Sequence, residues 1–230
     1  MHVARDCGTV AGMHTPTAAL LELDDLGFAY PGQPPLVQGW TARIGAGVTL
    51  LHGDTASGKS TLLRVLAGAL PATGRLLLAG ARLDADPDAY RRNVFWCEPS
   101  TDAFDQVSVR DCTVALTDGD TGFDADEWQT LVDGFALTPH LDKPLYMLST
   151  GSKRKVWLAA ALASGRALTL LDEPTAALDA ASILSLWGSL ARCAQRTDRA
   201  VVIASAEQID RVPLAATICL TPSPSERGQG

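Results

Sequence analysis

Short apolar runs alternate with amphipathic segments along most of this chain. Five runs have the length and flanking residues of buried strands, and they cover residues 48–52, 94–97, 167–172, 201–205 and 217–220. Segments with apolar residues at helical spacing occur at 61–67, 126–135 and 156–163. Strands that alternate with helices favour an α/β sandwich built on a mainly parallel sheet.

The two ends and the middle of the chain depart from this alternation. Residues 1–18 lack periodicity and residues 222–230 are poor in apolar side chains, so we predict a flexible tail at each end of a folded body at 19–221. Within that body, an Asp- and Gly-rich loop at 117–122 lies between helical stretches. We therefore predict a helical insert at approximately 98–165.

One predicted loop has a sequence with a specific chemical meaning. Residues 53–60 match the pattern G-x-x-x-x-G-K-[ST] at every fixed position, between a predicted strand and a predicted helix. Glycines let backbone N–H groups close on phosphate oxygens, a helix N-terminus favours negative charge, and the lysine neutralises the outer phosphates. We predict that a nucleoside triphosphate is bound here, with the serine hydroxyl on Mg²⁺. The predicted nucleotide-binding residues are Gly53, Asp54, Thr55, Ala56, Ser57, Gly58, Lys59, Ser60 and Thr61.

The apolar run 167–172 ends in two neighbouring carboxylates. Asp172 stands at the carboxyl end of the predicted strand, where an acidic residue can meet phosphate-bound Mg²⁺. Glu173 points differently and can orient or deprotonate an attacking water. Carboxylates that end a strand are often only solvated caps, but next to a phosphate loop they predict a role in binding the metal and activating water.

The order of these motifs resembles the ATP-binding cassette family, the ATP-hydrolysing subunits of ABC transporters, over nearly all of the predicted folded body. The segment after Leu148 resembles the family signature L-S-G-G-Q, and it comprises Ser149, Thr150, Gly151 and Ser152. The resemblance implies that these residues contact ATP held by a second subunit, through a hydroxyl and the amides of a helix N-terminus. An ordinary helix cap is the alternative. Thr150 and Ser152 replace glycine and glutamine, which implies a weaker or differently shaped interface.

Two further positions match the family by their place in the chain. Asp179 ends the run Ala-Ala-Leu-Asp, which resembles the D-loop. Tyr30, before a Pro-Gly turn, lies where the family carries an aromatic ring that stacks on adenine. A ring that fills the core is the alternative for Tyr30.

Two departures from the family pattern bear on mechanism. Where the family has a glutamine that couples Mg²⁺ and water to the membrane partner, this chain has Glu98. A carboxylate can still bind metal but donates no N–H bond when ionised. Where the family has a histidine on the γ-phosphate, this chain has Ala206, so the resemblance implies slow hydrolysis.

Composition limits the partners. The chain has 19 basic and 26 acidic residues, a net charge of −7, without a dense basic stripe, so we do not expect nucleic acid as a partner. No apolar run approaches the roughly 18 residues of a membrane helix, and no signal peptide is visible, so we expect a cytoplasmic protein. The five cysteines lack a C-x-x-C pair and predict neither zinc nor disulfides.

The resemblance implies a P-loop NTPase sandwich with a mainly parallel sheet, an antiparallel N-terminal β portion and a helical subdomain. It further implies an ATPase subunit at the inner face of the cell membrane, in a homodimer or heterodimer of cassettes. In this interpretation, ATP-driven closure of the dimer drives a separate transmembrane permease. The alternative is a catalytically impaired cassette that acts as an ATP-dependent regulatory or structural switch beside a competent partner.

Overall fold

The computed structural model describes residues 3–6, 19–96, 98 and 102–221. The strands are β1 (Val3–Asp6), β2 (Leu21–Phe28), β3 (Val37–Ile44), β4 (Gly47–His52), β5 (Thr73–Leu78), β6 (Ala81–Arg82), β7 (Val94–Phe95), β8 (Leu168–Asp172), β9 (Ala200–Ser205) and β10 (Ala216–Thr221). The α-helices are α1 (Lys59–Leu66), α2 (Pro87–Arg92), α3 (Val109–Leu116), α4 (Ala125–Gly134), α5 (Thr150–Ala163) and α6 (Ala180–Cys193). Short 3₁₀ helices occur at Thr138–His140 and Leu145–Met147.

The larger sheet has the strand order β1-β10-β4-β9-β8-β7, and its strands from β10 to β7 are parallel. This confirms the predicted mainly parallel sheet. Of the predicted strand 94–97, only Val94–Phe95 is a strand, and residue 97 lies outside the described residues.

Both faces of the parallel sheet are covered, which explains why its strands read as continuous apolar runs. In β9, Val201 and Ile203 belong to one apolar cluster with buried residues of α5 and α6. Val202 and Ala204 belong to a second cluster with the apolar side of α1. Successive side chains of a strand point to opposite faces, so one strand supports both layers.

The smaller sheet, in the order β3-β2-β5-β6, is antiparallel throughout. Its residues Leu21, Leu23, Leu76 and Leu78 share the second cluster with Leu62 of α1. This sheet is the predicted antiparallel β portion, and it buries the face of α1 that the parallel sheet leaves free.

The helices α3, α4 and α5 follow β7 and precede β8, in the region predicted as a helical insert. Helix α5 starts at Thr150, before the predicted helical stretch, because Ser149 caps it. Helix α6 was missed by the sequence analysis, although Asp179 is a typical N-cap for it. No helix in the described part of the chain combines the length and the apolar character needed to cross a bilayer.

The predicted N-terminal tail is wrong at Val3–Asp6. These residues form β1 and pair antiparallel with β10, so that Val3 lies opposite Thr221 and Asp6 opposite Ile218. The edge of β10 offers backbone hydrogen-bonding groups that a short segment can satisfy whatever its side-chain pattern. Residues 1–2, 7–18 and 222–230 lie outside the described residues, so flexible tails stay a prediction there.

A buried arginine joins helix α5 to the parallel sheet. Arg199 is 2% exposed, and Nη1 donates to the carbonyl of Leu162 at 2.7 Å. Nη2 donates to the carbonyl of Ala161 and, at 2.7 Å, to the hydroxyl of Thr169 in β8. Burial lowers the pKa of Arg199. The guanidinium thus satisfies carbonyls that the helix leaves open at its C-terminal end.

We expect Arg199→Met to lower the free energy of unfolding by about 2 kcal/mol, since two buried carbonyls and a hydroxyl lose their donor. Relief of a desolvated charge offsets part of this loss. Urea denaturation followed by circular dichroism measures the difference. The control is Arg196→Met, which removes an exposed ion pair with Asp198 and should change stability by less than about 0.5 kcal/mol. Equal losses in the two variants would contradict the role given to Arg199.

Candidate functional site

The register of three parallel strands brings separate parts of the sequence to one edge of the sheet. His52 at the end of β4 lies opposite Ser205 of β9, and Asp172 at the end of β8 lies opposite Ala204. The residues that follow these three strands therefore meet at the carboxyl edge, which is where open α/β sheets bind ligands. The edge holds the loop 53–58, the pair Asp172–Glu173 and residue 206.

The loop between β4 and α1 has a conformation that depends on glycine. Gly58 has φ 94°, and a Cβ there would lie 2.2 Å from Cδ1 of Leu36. At Gly53 a Cβ would lie 2.7 Å from the Ser57 hydroxyl and 2.9 Å from the carbonyl oxygen of Leu220. Ala56 adopts φ 62°, in the left-handed region that favours glycine. The fixed glycines of the motif are thus required by close approach and by backbone conformation.

Lys59 places a buried cation against this loop. Its side chain is 6% exposed, and Nζ donates to the carbonyl oxygens of Gly53 at 2.8 Å and Asp54 at 2.9 Å. A buried ammonium needs such acceptors because its desolvation is costly. Together with the N-terminus of α1, it makes this edge attractive to an anion.

Two buried polar atoms at the same edge have no hydrogen-bond partner in the described part of the chain. Among the described residues, Asp172 Oδ1 and the Ser57 hydroxyl are buried without a hydrogen bond. Burial raises the pKa of Asp172, against the smaller lowering effect of a hydrogen bond with Ser60. Unsatisfied buried acceptors are costly, so these atoms indicate a ligand that supplies the missing contacts.

Glu173 contacts residues that follow the two other strands of this edge, β4 and β9. Its Oε1 accepts from the backbone N–H of Ala206 at 3.0 Å and lies 3.5 Å from Lys59 Nζ. Its backbone N–H donates to the carbonyl of Ala204 at 2.9 Å, and its φ is 42°. The structure therefore brings Glu173, Lys59 and Ala206 together. Position 206 contributes a main-chain donor, since alanine has no polar side chain.

Tyr30 lies beside the first turn of α1. Its hydroxyl and that of Thr61 are 3.1 Å apart, and its ring packs edge-on against Phe28. With 43% of its surface exposed, Tyr30 is not the core residue that the alternative interpretation required. Its ring is accessible next to the phosphate-loop motif.

Glu98 is bound to the helix that follows the loop. Its two carboxylate oxygens accept from Arg64 of α1, at 2.6 Å from Nη2 and 3.1 Å from Nε. This hydrogen bond is the main cause of the raised pKa of Arg64. The carboxylate that sequence analysis considered as a metal ligand thus has a guanidinium as partner.

The signature-like residues form the start of α5. Ser149 is the N-cap, and its hydroxyl accepts from the backbone N–H of Ser152 at 3.1 Å. Ser149 and Thr150 are exposed, so a second molecule can reach them. A Cβ at Gly151 would lie 2.5 Å from the carbonyl oxygen of Ala177, so only glycine lets the helix approach that turn.

Asp179 performs two tasks in the D-loop-like segment. It caps α6 by accepting from the backbone N–H of Ser182 at 2.9 Å, and it pairs with Lys155 of α5 at 2.5 Å. The hydrogen bond with Lys155 is the main reason that the pKa of Asp179 lies well below its usual range.

Sequence analysis missed three contributors to this site: Arg64, the main-chain N–H of Ala206, and Arg154. Arg154 donates from Nη1 to the carbonyls of Glu173 and Ala176 at 3.0 and 3.1 Å. Arg64 is 34 residues from its partner Glu98, and a main-chain donor has no residue signature. The only signal for Arg154 was its place in a run of three cations after the signature-like residues.

The chain is similar to known proteins over most of its length. The sequence model of the family described as ABC transporter matches residues 41–176. The chain is 37% identical over 199 residues to the cytochrome c biogenesis ATP-binding export protein CcmA of Rhodospirillum rubrum, covering 84% of each protein. It is 33% identical over 215 residues to the taurine import ATP-binding protein TauB of Pseudomonas entomophila, covering 90% of this chain and 81% of that protein.

Solved structures show the same fold. The ATP-binding subunit of an ABC transporter matches with a TM-score of 0.69 at 22% identity, covering 80% of this chain and 79% of that chain. CbiO1 of Clostridium perfringens, part of the ABC transporter complex CbiONQ, matches with a TM-score of 0.65 at 23% identity, covering 88% and 84%. The P-loop NTPase fold predicted from the sequence is confirmed. On the family match and these relatives, the chain belongs to the ABC transporter family, as an ATP-binding subunit.

Proposed function

We propose that this subunit hydrolyses ATP with Mg²⁺ and uses the cycle to drive a transporter. The observation that carries the proposal is the meeting of the phosphate loop with Asp172 and Glu173, where Glu173 Oε1 lies 3.5 Å from Lys59 Nζ. The loop amides and Lys59 bind the phosphates, and Tyr30 stacks on adenine. Glu173 orients the attacking water and accepts its proton.

The donor set fits Mg²⁺ as the metal. Ser60 supplies a hydroxyl and Asp172 a carboxylate whose Oδ1 has no partner among the described residues. Oxygen ligands of this kind suit a hard cation that also coordinates substrate phosphates. The metal, when bound, neutralises charge that develops on the phosphate oxygens.

The same proposal gives the subunit two kinds of partner. The exposed Ser149 and Thr150 at the start of α5 contact ATP bound by a second cassette, with Asp179 near that interface. A separate permease crosses the membrane, and the cassettes work at its cytoplasmic side. Relatives named as export and import proteins support a transporter subunit of either direction. We assign this activity to the folded body at 19–221, with a helical subdomain at about 98–165, together with the edge strand Val3–Asp6.

The test of this proposal is the steady-state ATPase rate of the full-length chain with Mg²⁺. We expect Glu173→Gln to lower turnover by about 10²-fold or more while ATP still binds, because only the proton acceptor is lost. Lys59→Ala should instead weaken ATP binding by about ten- to a hundredfold, since it removes a charged donor. Glu207→Gln, which changes an exposed glutamate near the site, is the matched control and should leave both quantities unchanged.

Two results would contradict the proposal. If the wild-type chain binds ATP but turns it over no faster than Glu173→Gln, the chain is the impaired cassette of the alternative interpretation. If it neither binds ATP nor associates with a membrane protein, both interpretations fail.

Replacement of Ala206 tests whether hydrolysis is slow because this chain lacks the family's γ-phosphate histidine. We expect Ala206→His to raise turnover, because an imidazole at this position adds a donor near the charge that develops on phosphate, while the backbone N–H to Glu173 is kept. Ala206→Phe is the control, with a ring of similar shape and no hydrogen-bonding atom. An equal effect of both rings, or a slower His variant, would argue against this role for position 206.

Glu98 has two proposed roles that the Mg²⁺ dependence separates. If Glu98 is a metal ligand, the Glu98→Gln variant needs more Mg²⁺ for half-maximal ATPase activity than the wild type. The Arg64→Gln variant then keeps the wild-type Mg²⁺ requirement. If Glu98 is only the ion-pair partner of Arg64, both variants keep the wild-type Mg²⁺ requirement. We expect the second result, because both carboxylate oxygens already accept from Arg64.

A further inference from the structure

Three consecutive cations, Lys153, Arg154 and Lys155, lie in the first turns of α5. Positive charge at a helix N-terminus opposes the helix dipole, so these side chains need partners elsewhere. Lys153 pairs with Asp105, and Lys155 pairs with Asp179 and also donates to the carbonyl of Phe135 at 3.3 Å. Each of these two lysines thus makes an ion pair with a carboxylate.

Arg154 makes a different kind of contact. Its Nη1 donates to two main-chain carbonyls in the turn after β8, those of Glu173 at 3.0 Å and Ala176 at 3.1 Å. Each terminal guanidinium nitrogen carries two N–H groups in a fixed plane, so Nη1 can donate to both acceptors. Arg154 is therefore a brace on the main chain of this turn.

The braced turn is strained. Glu173 has φ 42° and Ala177 has φ 61°, a region that costs non-glycine residues free energy and persists only when the surroundings enforce it. Helix α5 also touches the turn directly, since a Cβ at Gly151 would lie 2.5 Å from the carbonyl oxygen of Ala177. The start of α5 and the turn 173–177 are thus packed as one unit.

Glu173 is consequently held at two ends by different parts of the protein. Its main chain is bonded to α5 through Arg154, while its carboxylate is bonded to the N–H of Ala206 and approaches Lys59. A shift of α5 relative to the sheet would move the first anchor and leave the second in place.

We propose that Arg154 is a positioning residue that sets the Glu173 carboxylate and transmits the position of the start of α5 to it. The inference rests on the proposed role of Glu173 in hydrolysis. It adds that the exposed residues Ser149 and Thr150, at the same helix start, act on this carboxylate through one arginine.

The experiment compares Arg154→Met, Arg154→Lys and Lys153→Met in the full-length chain. We measure kcat and KM for ATP, and the affinity for a non-hydrolysable ATP analogue. Arg154→Met should lower kcat by about tenfold or more, because small displacements of a reacting group are costly, and leave the analogue's affinity unchanged. Arg154→Lys, which keeps the charge without the planar fork, should recover part of kcat.

Lys153→Met is the matched control, because it removes the same charge from the neighbouring position and, within the described part of the chain, breaks the pair with Asp105. Its kcat should stay within about twofold of wild type. The inference is overturned by wild-type kcat in Arg154→Met, by an equal loss in Lys153→Met, by a matching loss of analogue affinity, or by full recovery in Arg154→Lys. If Arg154→Met does not fold, an intermediate kcat in Arg154→Lys supports the inference and a wild-type kcat overturns it.

The kcat of Glu173→Gln, measured in parallel, distinguishes a failure of the proposed function from a failure of the role given to Arg154. Full activity in that variant would refute the proposed function itself. Loss of activity there, with wild-type kcat in Arg154→Met, would refute only the role given to Arg154.

Discussion

The parallel register of β4, β9 and β8 is the constraint on which the candidate site depends. It sets His52 against Ser205 and Asp172 against Ala204, so that three loops begin side by side at one edge of the sheet. The register itself is held by the apolar clusters on the two faces of the sheet, since a slip of one residue would exchange the side chains that face each layer. The chemistry at the edge is thus set by packing in the middle of the domain.

The edge concentrates features that cost stability. Lys59 is a buried cation, Asp172 has a buried oxygen without a partner among the described residues, and Glu173 and Ala56 have positive φ. Each is unfavourable for a folded protein on its own, and such features cluster where binding or catalysis requires them. Hydrogen bonds from Ala206 to Glu173, and from Lys59 to the loop carbonyls, keep the arrangement ordered.

Helix α5 connects this edge to the outer surface. Its N-terminal end carries the exposed signature-like residues, and its cations contact the D-loop-like segment and the turn after β8. Arg199 fixes its other end to β8. Because one helix carries the exposed signature-like residues and also contacts the candidate catalytic turn, these two parts of the chain are linked by direct contact. That link is a property of the fold, and no single motif contains it.

The sequence by itself determined the class of fold, the phosphate loop and the order of the motifs, because these depend on local patterns: apolar periodicity, fixed glycines and carboxylates at a strand end. Only the tertiary structure decided which residues meet. It paired Glu98 with Arg64, placed the N–H of Ala206 on Glu173, braced the turn with Arg154, and used Val3–Asp6 as a strand. These contacts join residues far apart in the chain or use backbone groups that all residues share. Their formation depends on how the packed layers align, which local sequence patterns do not encode.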